Sequence, residues 1–504
     1  MSLPKVRTHK EYQEFVKEQL KTRSLGIPTF FMNVYAKLIN LDLSRVNSIL
    51  KFRYSNRGTP ARAPDNMLRS LLAMKLSGIT SIDEWIALLR SFPSLAIISG
   101  FTPEDTPGVG TFYDFFDRLY LMDKDKSKAK GKIRFRRKPS KSKEQGKRED
   151  ALPEHNHKGV IQRLVNRVMR EDSKKKNNKS SYKAPDYLLQ KIFKECFVLP
   201  SARLGIIDLD NLNVGGDGSK IATYASPYGK KVCKCKEKCD CPRLFSDRDA
   251  RWGWDSFRES WVYGYGIHDL VDLESGLSII LPKLTSANIH DGVVAINLIR
   301  EAMNQGYRIK HSVFDSGYDN YHFYRFLIDY YRISPIIKIN KRCEGKFKNR
   351  DLIFFTKDGA PICLYGLTLT NWGYCWDRGR NKWRCPVCSL AQYKDEECPY
   401  RDICQQKKSK YGRVVYTRSE ENYRYFTPVP RDSDLWKELY KKRSISERSF
   451  KVKKRDYKLT ATRTRGRKMW TIRVALACMC QHIDAQAKAL GVREEESQDV
   501  LTAT

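Results

Sequence analysis

The stretch LNVGGDGSK, residues 212–220, decides the fold class, because an apolar strand pattern runs there into an acidic residue between two glycines. From residue 202 onward, strand-like segments give way to alternating strands and helices, the pattern of an α/β domain with a mixed sheet. The predicted elements, in order, are strands 212–216, 261–269 and 277–284, helix 291–305, strand 308–314, helix 321–331 and strand 333–339.

Two aspartates follow predicted strands and precede glycine-containing turns: Asp217 in GGDGSK and Asp315 in VFDSGYDN. Carboxylates at neighbouring strand ends, joined by a third from a helix, form an oxygen pocket suited to Mg²⁺ or Mn²⁺. Such a pocket can hold two ions about 3.5–4 Å apart and serves phosphodiester chemistry. For either aspartate alone, an ordinary Asp-Gly turn is the better explanation. Asp208 and Asp210 in GIIDLDN are rivals for the first carboxylate, although the GDGSK context favours Asp217.

A helix supplies the candidate third carboxylate. Residues 434–458 contain neither proline nor glycine and predict one long charged helix. At about 100° per residue, four of its side chains share one face: Tyr440, Arg443, Glu447 and Lys454. On one interpretation Glu447 binds metal while the other three hold phosphates. On the other, the helix is solvated and Arg443 and Glu447 form an ion pair of little energetic value.

The charge balance points to a polyanionic partner. The 504 residues include 94 Lys and Arg against 58 Asp and Glu, a formal net charge of +36, and 41% are hydrophobic. Nucleic acid is the expected partner, and the length predicts two to four domains. The sequence shows neither an apolar leader nor a stretch long enough to span a bilayer, so we expect a soluble cytoplasmic protein associated with the nucleoid.

Composition divides the chain into six segments. The first segment is all-α and either contacts DNA through a helix-turn-helix or is a plain helical bundle. The second is a basic linker or arm, which is either a solvated tether or a segment that contacts phosphates. The predicted boundaries are 1–122 for the helical DNA-binding domain, 123–200 for the basic linker, 201–340 for the first part of the core with a cysteine-rich excursion at 230–245, 341–430 for a β-rich insertion, 431–490 for the second part of the core and 491–504 for an acidic tail.

Eight of the 14 cysteines fall into two clusters, which in a reducing compartment indicates metal binding rather than disulfides. The spacing C-x2-C-x9-C-x5-C in the insertion resembles a zinc ribbon and predicts a structural zinc site, the alternative being reduced, unliganded thiols. The second cluster is a weaker signal that can bind its own zinc, share one metal with the first or stay free. The first cluster comprises Cys385, Cys388, Cys398 and Cys404; the second comprises Cys233, Cys235, Cys239 and Cys241.

Two further features leave alternatives open. The segment RWGWDSFR, residues 251–258, can stack on an unpaired base or serve as strand-edge packing, and packing is favoured. His268 and His290 can lie near the pocket, but a lone histidine is more often structural.

The spacing Tyr440-x2-Arg443-x3-Glu447-x6-Lys454 resembles the YREK signature of bacterial insertion-sequence DDE transposases. Asp217 and Asp315 lie where that family has its two aspartates. The words GDGSK, YGYGIH, SANIHDG and DSGYDN are similar to the family as well, so the resemblance covers residues 202–479. The stretch beginning RAPDNMLRSLLAMKLSG, from residue 62, resembles the helical N-terminal domain that accompanies many of these enzymes.

The resemblance implies an RNase H-like core, a mixed sheet flanked by helices, in which Asp217, Asp315 and Glu447 bind two Mg²⁺ or Mn²⁺ ions. The enzyme would cut transposon ends and join the freed 3′-hydroxyls to target DNA. Three further side chains would position the phosphates of the transposon ends: Tyr440, Arg443 and Lys454. A homodimer in a synaptic complex on double-stranded DNA is the expected assembly. The rival functions are a catalytically silent, zinc-stabilised DNA-binding protein and a Mg²⁺-dependent nuclease of the same fold.

Overall fold

The central sheet is built from six strands of the predicted α/β core. The computed structural model describes residues 1–139, 159–175, 184–340, 353–389 and 413–492. The strands are β1 (Leu212–Ala222), β2 (Arg251–Asp255), β3 (Ser260–Asp272), β4 (Lys283–Ser286), β5 (Ile309–Phe314) and β6 (Ser334–Ile337). The sheet order is β2-β3-β1-β5-β6, with β4 paired to β3. The pairs β1/β5 and β5/β6 are parallel and the others antiparallel, so the predicted mixed sheet is confirmed.

Two strand boundaries differ from the sequence prediction. β1 continues past Asp217 to Ala222, because residues 217–222 all keep antiparallel partners on β3. Asp217 therefore lies inside a strand, and the prediction that it ends one is wrong. The predicted strand 277–284 is also wrong over most of its length, since β4 begins only at Lys283.

Helices cover both faces of the sheet. Helix Asp291–Asn304 and helix Tyr321–Arg325, which continues as a π-helical turn, Phe326–Tyr330, lie where the sequence predicts them. Helix Ser444–Arg455 contacts β1 and β3. A Cβ built on Gly215 would approach Ser446, whereas one on Gly218 would approach Asp291, so these two helices lie on opposite faces of β1.

The predicted single helix over 434–458 is broken. Ser433 caps a first segment, Asp434–Lys441, by accepting a hydrogen bond from the Trp436 amide. The second segment is Ser444–Arg455. Between them, the amides of residues 442 and 443 bond to carbonyls only three residues back, which tightens the turn. The first segment contacts β6, and the second contacts β1 and β3, so the two segments pack on different strands of the sheet.

The seven helices between His9 and Leu119 form the predicted all-α domain. Thr8 starts the first with a capping box to Glu11, and Ser81 caps the fifth. Their apolar faces share one hydrophobic core with the long C-terminal helix, Arg467–Ala489. The helical domain is thus docked directly on the α/β core.

Among its described residues, the basic segment predicted as a linker, 123–200, forms several helices and one strand. Gly131–Ile133 pairs with the strand Arg243–Phe245 of the cysteine-rich excursion. Val160–Lys175 forms a helix that buries Val165 and Val168 and contacts helix Asp291–Asn304. These parts of the segment pack on the core, so they are not a solvated tether.

The insertion is β-rich, as predicted. Its main sheet comprises Thr370–Cys375, Arg380–Arg384 and Val414–Arg418, all antiparallel. Trp383 and Cys385 belong to a small hydrophobic core of its own. The Cys388 side chain and Cys398 and Cys404 lie outside the described residues, so the zinc ribbon stays a prediction.

Candidate active site

Asp217 and Asp315 are neighbours because their strands run parallel and adjacent. Gly215 on β1 pairs with Val313 on β5, which places the residues two positions further along at the same level of the sheet. Asp217 Oδ1 accepts a hydrogen bond from the Gly218 amide, and Asp315 Oδ1 accepts one from the Gly317 amide, both at 2.8 Å. These local bonds hold each carboxylate close to its own backbone.

The glycines on either side of Asp217 allow close packing behind it. A Cβ at Gly216 would lie 2.0 Å from the Phe314 ring, and one at Gly218 would lie 2.8 Å from the Asp291 carboxylate. Side chains alternate along a strand, so both contacts are on the face opposite to the Asp217 side chain. The glycines therefore serve packing rather than the turn that their pattern indicates.

Glu447 lies in the first turn of helix Ser444–Arg455. Its Oε1 accepts a hydrogen bond from Arg443 Nη1 at 2.6 Å, and its side chain is 52% exposed. The ion pair that the sequence offered as an alternative is therefore present. Tyr440 stacks on Trp436, with ring centroids 4.7 Å apart, and also contacts Arg443. Tyr440, Arg443 and Glu447 form one row of side chains beside the aspartates.

Lys454 lies on the same face of β1 as Asp217. Its Nζ donates to Ser219 Oγ at 2.5 Å and approaches the Lys220 carbonyl at 3.4 Å. Burial and the nearby Arg258 guanidinium lower the pKa of Lys454. The side chains of the predicted signature therefore lie in two places. Three of them are beside the aspartates, whereas Lys454 lies further along β1.

A buried ion pair fixes the Glu447 helix to the sheet. Lys453 Nζ lies 2.7 Å from Asp269 Oδ2 on β3, and the two side chains are 0% and 1% exposed. Lys453 also donates to Ser449 Oγ, and Asp269 accepts from Ser278 Oγ at 3.0 Å. Removing either partner would leave a buried charge unpaired, so this contact holds the helix in one register. Sequence reasoning missed this pair.

The aspartates share a strongly negative environment. Burial, reinforced by the charges of Asp315 and Glu447, raises the pKa of Asp217 to about 7. Burial also raises the pKa of Asp315, and the Arg443 guanidinium opposes that rise. Two carboxylates that repel each other in a partly buried pocket are stabilised when the pocket binds a proton or a cation.

The donor set fits a divalent hard cation. Asp217, Asp315 and Glu447 offer carboxylate oxygens, the ligands that Mg²⁺ and Mn²⁺ prefer, and the charges of Asp315 and Glu447 add to the effect of burial in raising the pKa of Asp217. Within the described ranges these three do not form a group whose ligand atoms all lie within 4.8 Å of one another. Glu447 instead holds Arg443, so metal binding there requires Glu447 to turn toward the aspartates.

A fourth carboxylate, Asp291, lies behind β1 and was also missed. Its Oδ1 is 3.5 Å from Lys220 Nζ and 3.3 Å from His268 Nδ1, the latter outside hydrogen-bond geometry. Burial lowers the pKa of His268 to about 4, and its Nε2 is 2.8 Å from Thr285 Oγ1. His290 caps the following helix through Nδ1, which accepts from the Gly292 amide. Both histidines have structural partners; the available signal for Asp291 is the motif SANIHDG.

The rival residues lie elsewhere. Asp208 and Asp210 are exposed in the loop before β1, at the end remote from Asp217. In the aromatic segment, Trp254 packs edge-to-face on Trp261, and Trp252 packs at a tilt on Tyr263, which is strand-edge packing. Phe257, at the hairpin tip, is 95% exposed.

The second cysteine cluster is assembled in the structure. Its four Sγ atoms all lie within 4.8 Å of one another: Cys233, Cys235, Cys239 and Cys241. It is the one such group of potential metal ligands among the residues that the structure describes.

Residues 201–482 match the family described as Transposase DDE domain, and residues 24–118 match the one described as Transposase domain (DUF772). The chain belongs to the DDE transposase family. The first match covers more than half of the transposase and contains all three candidate carboxylates. Membership implies that the protein binds DNA and uses a divalent metal ion. No curated protein matches the chain. Among the described helices, none has the length and apolar character that crossing a bilayer requires.

Proposed function

We propose that this transposase binds the inverted-repeat ends of an insertion sequence, cleaves them by metal-dependent phosphodiester hydrolysis and transfers the 3′-hydroxyl ends into target DNA. One observation carries the proposal: two largely buried, mutually repelling carboxylates on adjacent strands face a helix that brings a third carboxylate and a guanidinium. That arrangement concentrates negative charge where a cation and a phosphate can be held together.

In this proposal Asp217, Asp315 and Glu447 hold two Mg²⁺ or Mn²⁺ ions. When bound, the ions lower the pKa of the attacking water or hydroxyl and neutralise the leaving oxygen. The chain itself supplies position: the two aspartates are fixed by the sheet, and Glu447 is placed by a helix that the buried Lys453–Asp269 pair locks to β3. Arg443 exchanges its bond to Glu447 for a phosphate as DNA arrives.

Tyr440 and Lys454 complete the phosphate contacts. Tyr440 is held in place by its stacking on Trp436, so its hydroxyl has a fixed direction beside Arg443. Lys454, tied to Ser219, would contact a phosphate further along the same strand of DNA. Arg443→Ala and Lys454→Ala should each lower cleavage by about 10²–10³-fold while leaving the fold intact. Wild-type cleavage rates in both would remove the phosphate role.

The substrate and assembly belong to the proposal as well. The partner is double-stranded DNA, both transposon ends and target, in keeping with a net charge of +36. The helical domain would contribute to end recognition. Two ends must be joined in one event, so the active form is a homodimer in a synaptic complex. A structural zinc ion at Cys385, Cys388, Cys398 and Cys404 would stabilise the insertion.

The test is strand cleavage and joining on DNA that carries the flanking inverted repeats, with Mg²⁺, comparing wild type with Glu447→Gln. Glu438→Gln is the matched control, because Glu438 is an exposed carboxylate of the preceding helix that pairs with Lys442. We expect wild type and the control to cut and join, and Glu447→Gln to bind DNA without cutting.

The other outcomes identify the two rival functions. Binding without cleavage by wild type, under Mg²⁺ and Mn²⁺ alike, would indicate a silent DNA-binding descendant. Cleavage without end specificity and without joining would indicate a nuclease of the same fold.

A further inference from the structure

The cysteine-rich excursion forms a small hairpin between β1 and β2. Its two short strands, Lys230–Lys231 and Arg243–Phe245, are antiparallel, and the four cysteines lie in the loop that joins them. Phe245 is buried, whereas the residues from 230 to 241 are exposed or half-buried. This loop has almost no hydrophobic core that could hold it in one conformation.

The sulfur positions distinguish a metal site from disulfides. Cys233 Sγ lies 3.4 Å from Cys239 Sγ, and Cys235 Sγ lies 3.7 Å from Cys241 Sγ. A disulfide requires about 2.05 Å between its sulfurs. Tetrahedral zinc with Zn–S bonds of about 2.3 Å places its ligand sulfurs about 3.8 Å apart. The observed distances match the edges of a zinc tetrahedron, and all four sulfurs already converge.

We propose that Cys233, Cys235, Cys239 and Cys241 form a structural zinc site that closes this hairpin and thereby holds the basic segment against the catalytic core. The site has its full set of four protein ligands and no open position, so the zinc has no part in the phosphodiester chemistry. Zinc binding releases the protons of the four thiols and leaves a complex with a charge of −2.

The surrounding charges favour such a complex. Five lysines lie in or next to the loop and offset its negative charge: Lys230, Lys231, Lys234, Lys236 and Lys238. Nearby cations stabilise thiolates and so favour metal binding near neutral pH. These lysines therefore have a role within the protein.

The hairpin supports one side of the basic segment, which also bonds to the residues that follow the hairpin, since Arg136 donates to the carbonyls of Arg248 and Ala250. Gly131–Ile133 adds a third strand to it, on the outer side of Arg243–Phe245. Arg243 lies over the Phe135 ring at 3.8 Å, and Arg137 pairs with Asp240, inside the cysteine loop, at 3.0 Å. Loss of zinc should therefore loosen residues 131–137 as well as the loop itself.

Metal content and cysteine protection test the site in the full-length protein. Both proteins are purified without chelator. The Cys235→Ser/Cys239→Ser variant should contain about one zinc ion per chain fewer than wild type. Cys375→Ser is the control, because Cys375 is an exposed cysteine outside both clusters. Any zinc at Cys385 and its partners would remain in the double variant, so the difference from wild type isolates this site. Unchanged zinc content in the double variant would overturn the proposal.

A second measurement needs no variant and so is independent of folding defects. In zinc-loaded wild type, alkylation of Cys235 followed by mass spectrometry should be at least about tenfold slower than that of Cys375, and chelation should remove the difference. Amide hydrogen exchange at residues 131–133 should accelerate on the same chelation. Equal alkylation of the two exposed cysteines with zinc present, or unaltered exchange after chelation, would refute the site or its role in holding the segment.

Discussion

Replacement of Lys453 by methionine tests how the Glu447 helix is positioned. Methionine keeps most of the length and the apolar stem but removes the charge that pairs with Asp269 at 2.7 Å. Since both side chains are fully buried, Asp269 would be left as an unpaired charge that keeps only the hydrogen bonds donated by the Ser278 hydroxyl and the Leu270 amide. Breaking a buried pair in this way costs about 3–5 kcal/mol.

The neighbouring lysine provides the control. Lys454→Met removes a half-buried amine bonded to Ser219, and should lower the free energy of unfolding by no more than about 1 kcal/mol. The double variant Asp269→Asn/Lys453→Met should recover at least half of the loss, because no unpaired charge remains. The assay is urea unfolding followed by circular dichroism. A Lys453→Met variant as stable as Lys454→Met would refute the anchoring role.

Two further predictions concern β1. Because the folded pKa of Asp217, about 7, lies above its ordinary 3.8, this group contributes stability that is fully present below pH 3.8 and is lost as pH rises through 7. In metal-free wild type this loss of unfolding free energy is on the order of 4 kcal/mol, and Asp217→Asn should remove it. Identical dependences of melting temperature on pH for wild type and Asp217→Asn, from pH 4 to 8, would contradict this prediction. Gly216→Ala should destabilise by about 1–3 kcal/mol, because its Cβ would overlap the Phe314 ring. Gly110→Ala, with open space around it in a helix, should be neutral or slightly stabilising in the same thermal unfolding assay.

The mixed sheet was predictable from the apolar strand patterns in the sequence. These patterns also place Asp217 and Asp315 at or near strand ends, whereas the parallel pairing of β1 with β5 that makes them neighbours is a tertiary feature. The extent of β1 was not predictable, because the glycines around Asp217 have the composition of a turn. Only the pairing with β3, which no local pattern encodes, shows that the strand continues.

The helix break and the anchoring pair depend on tertiary contacts. Residues 441–444 contain no proline or glycine, and the interruption coincides with a change of the strand that the helix contacts. Lys453 and Lys454 look alike in the sequence, but one is buried on Asp269 and the other reaches Ser219. Composition could not separate these two roles.

The basic segment contains a helical pattern of apolar residues that its average composition does not show. Between residues 160 and 169, apolar residues recur at helical spacing, and the structure buries Val165 and Val168 there. Average composition predicts a solvated linker, whereas periodicity in this shorter window predicts a packed helix.

The proposed role of Asp217 and Asp315 as metal ligands in cleavage is tested most directly by replacing their carboxylate oxygens with sulfur. Asp217→Cys and Asp315→Cys place a soft thiolate where Mg²⁺ requires oxygen, while Mn²⁺ accepts sulfur more readily. Cleavage of inverted-repeat DNA by these variants should be lost with Mg²⁺ and at least partly restored with Mn²⁺. Asp434→Cys, at a fully exposed carboxylate, should cut with either ion. Full Mg²⁺-dependent cleavage by Asp315→Cys would contradict the account.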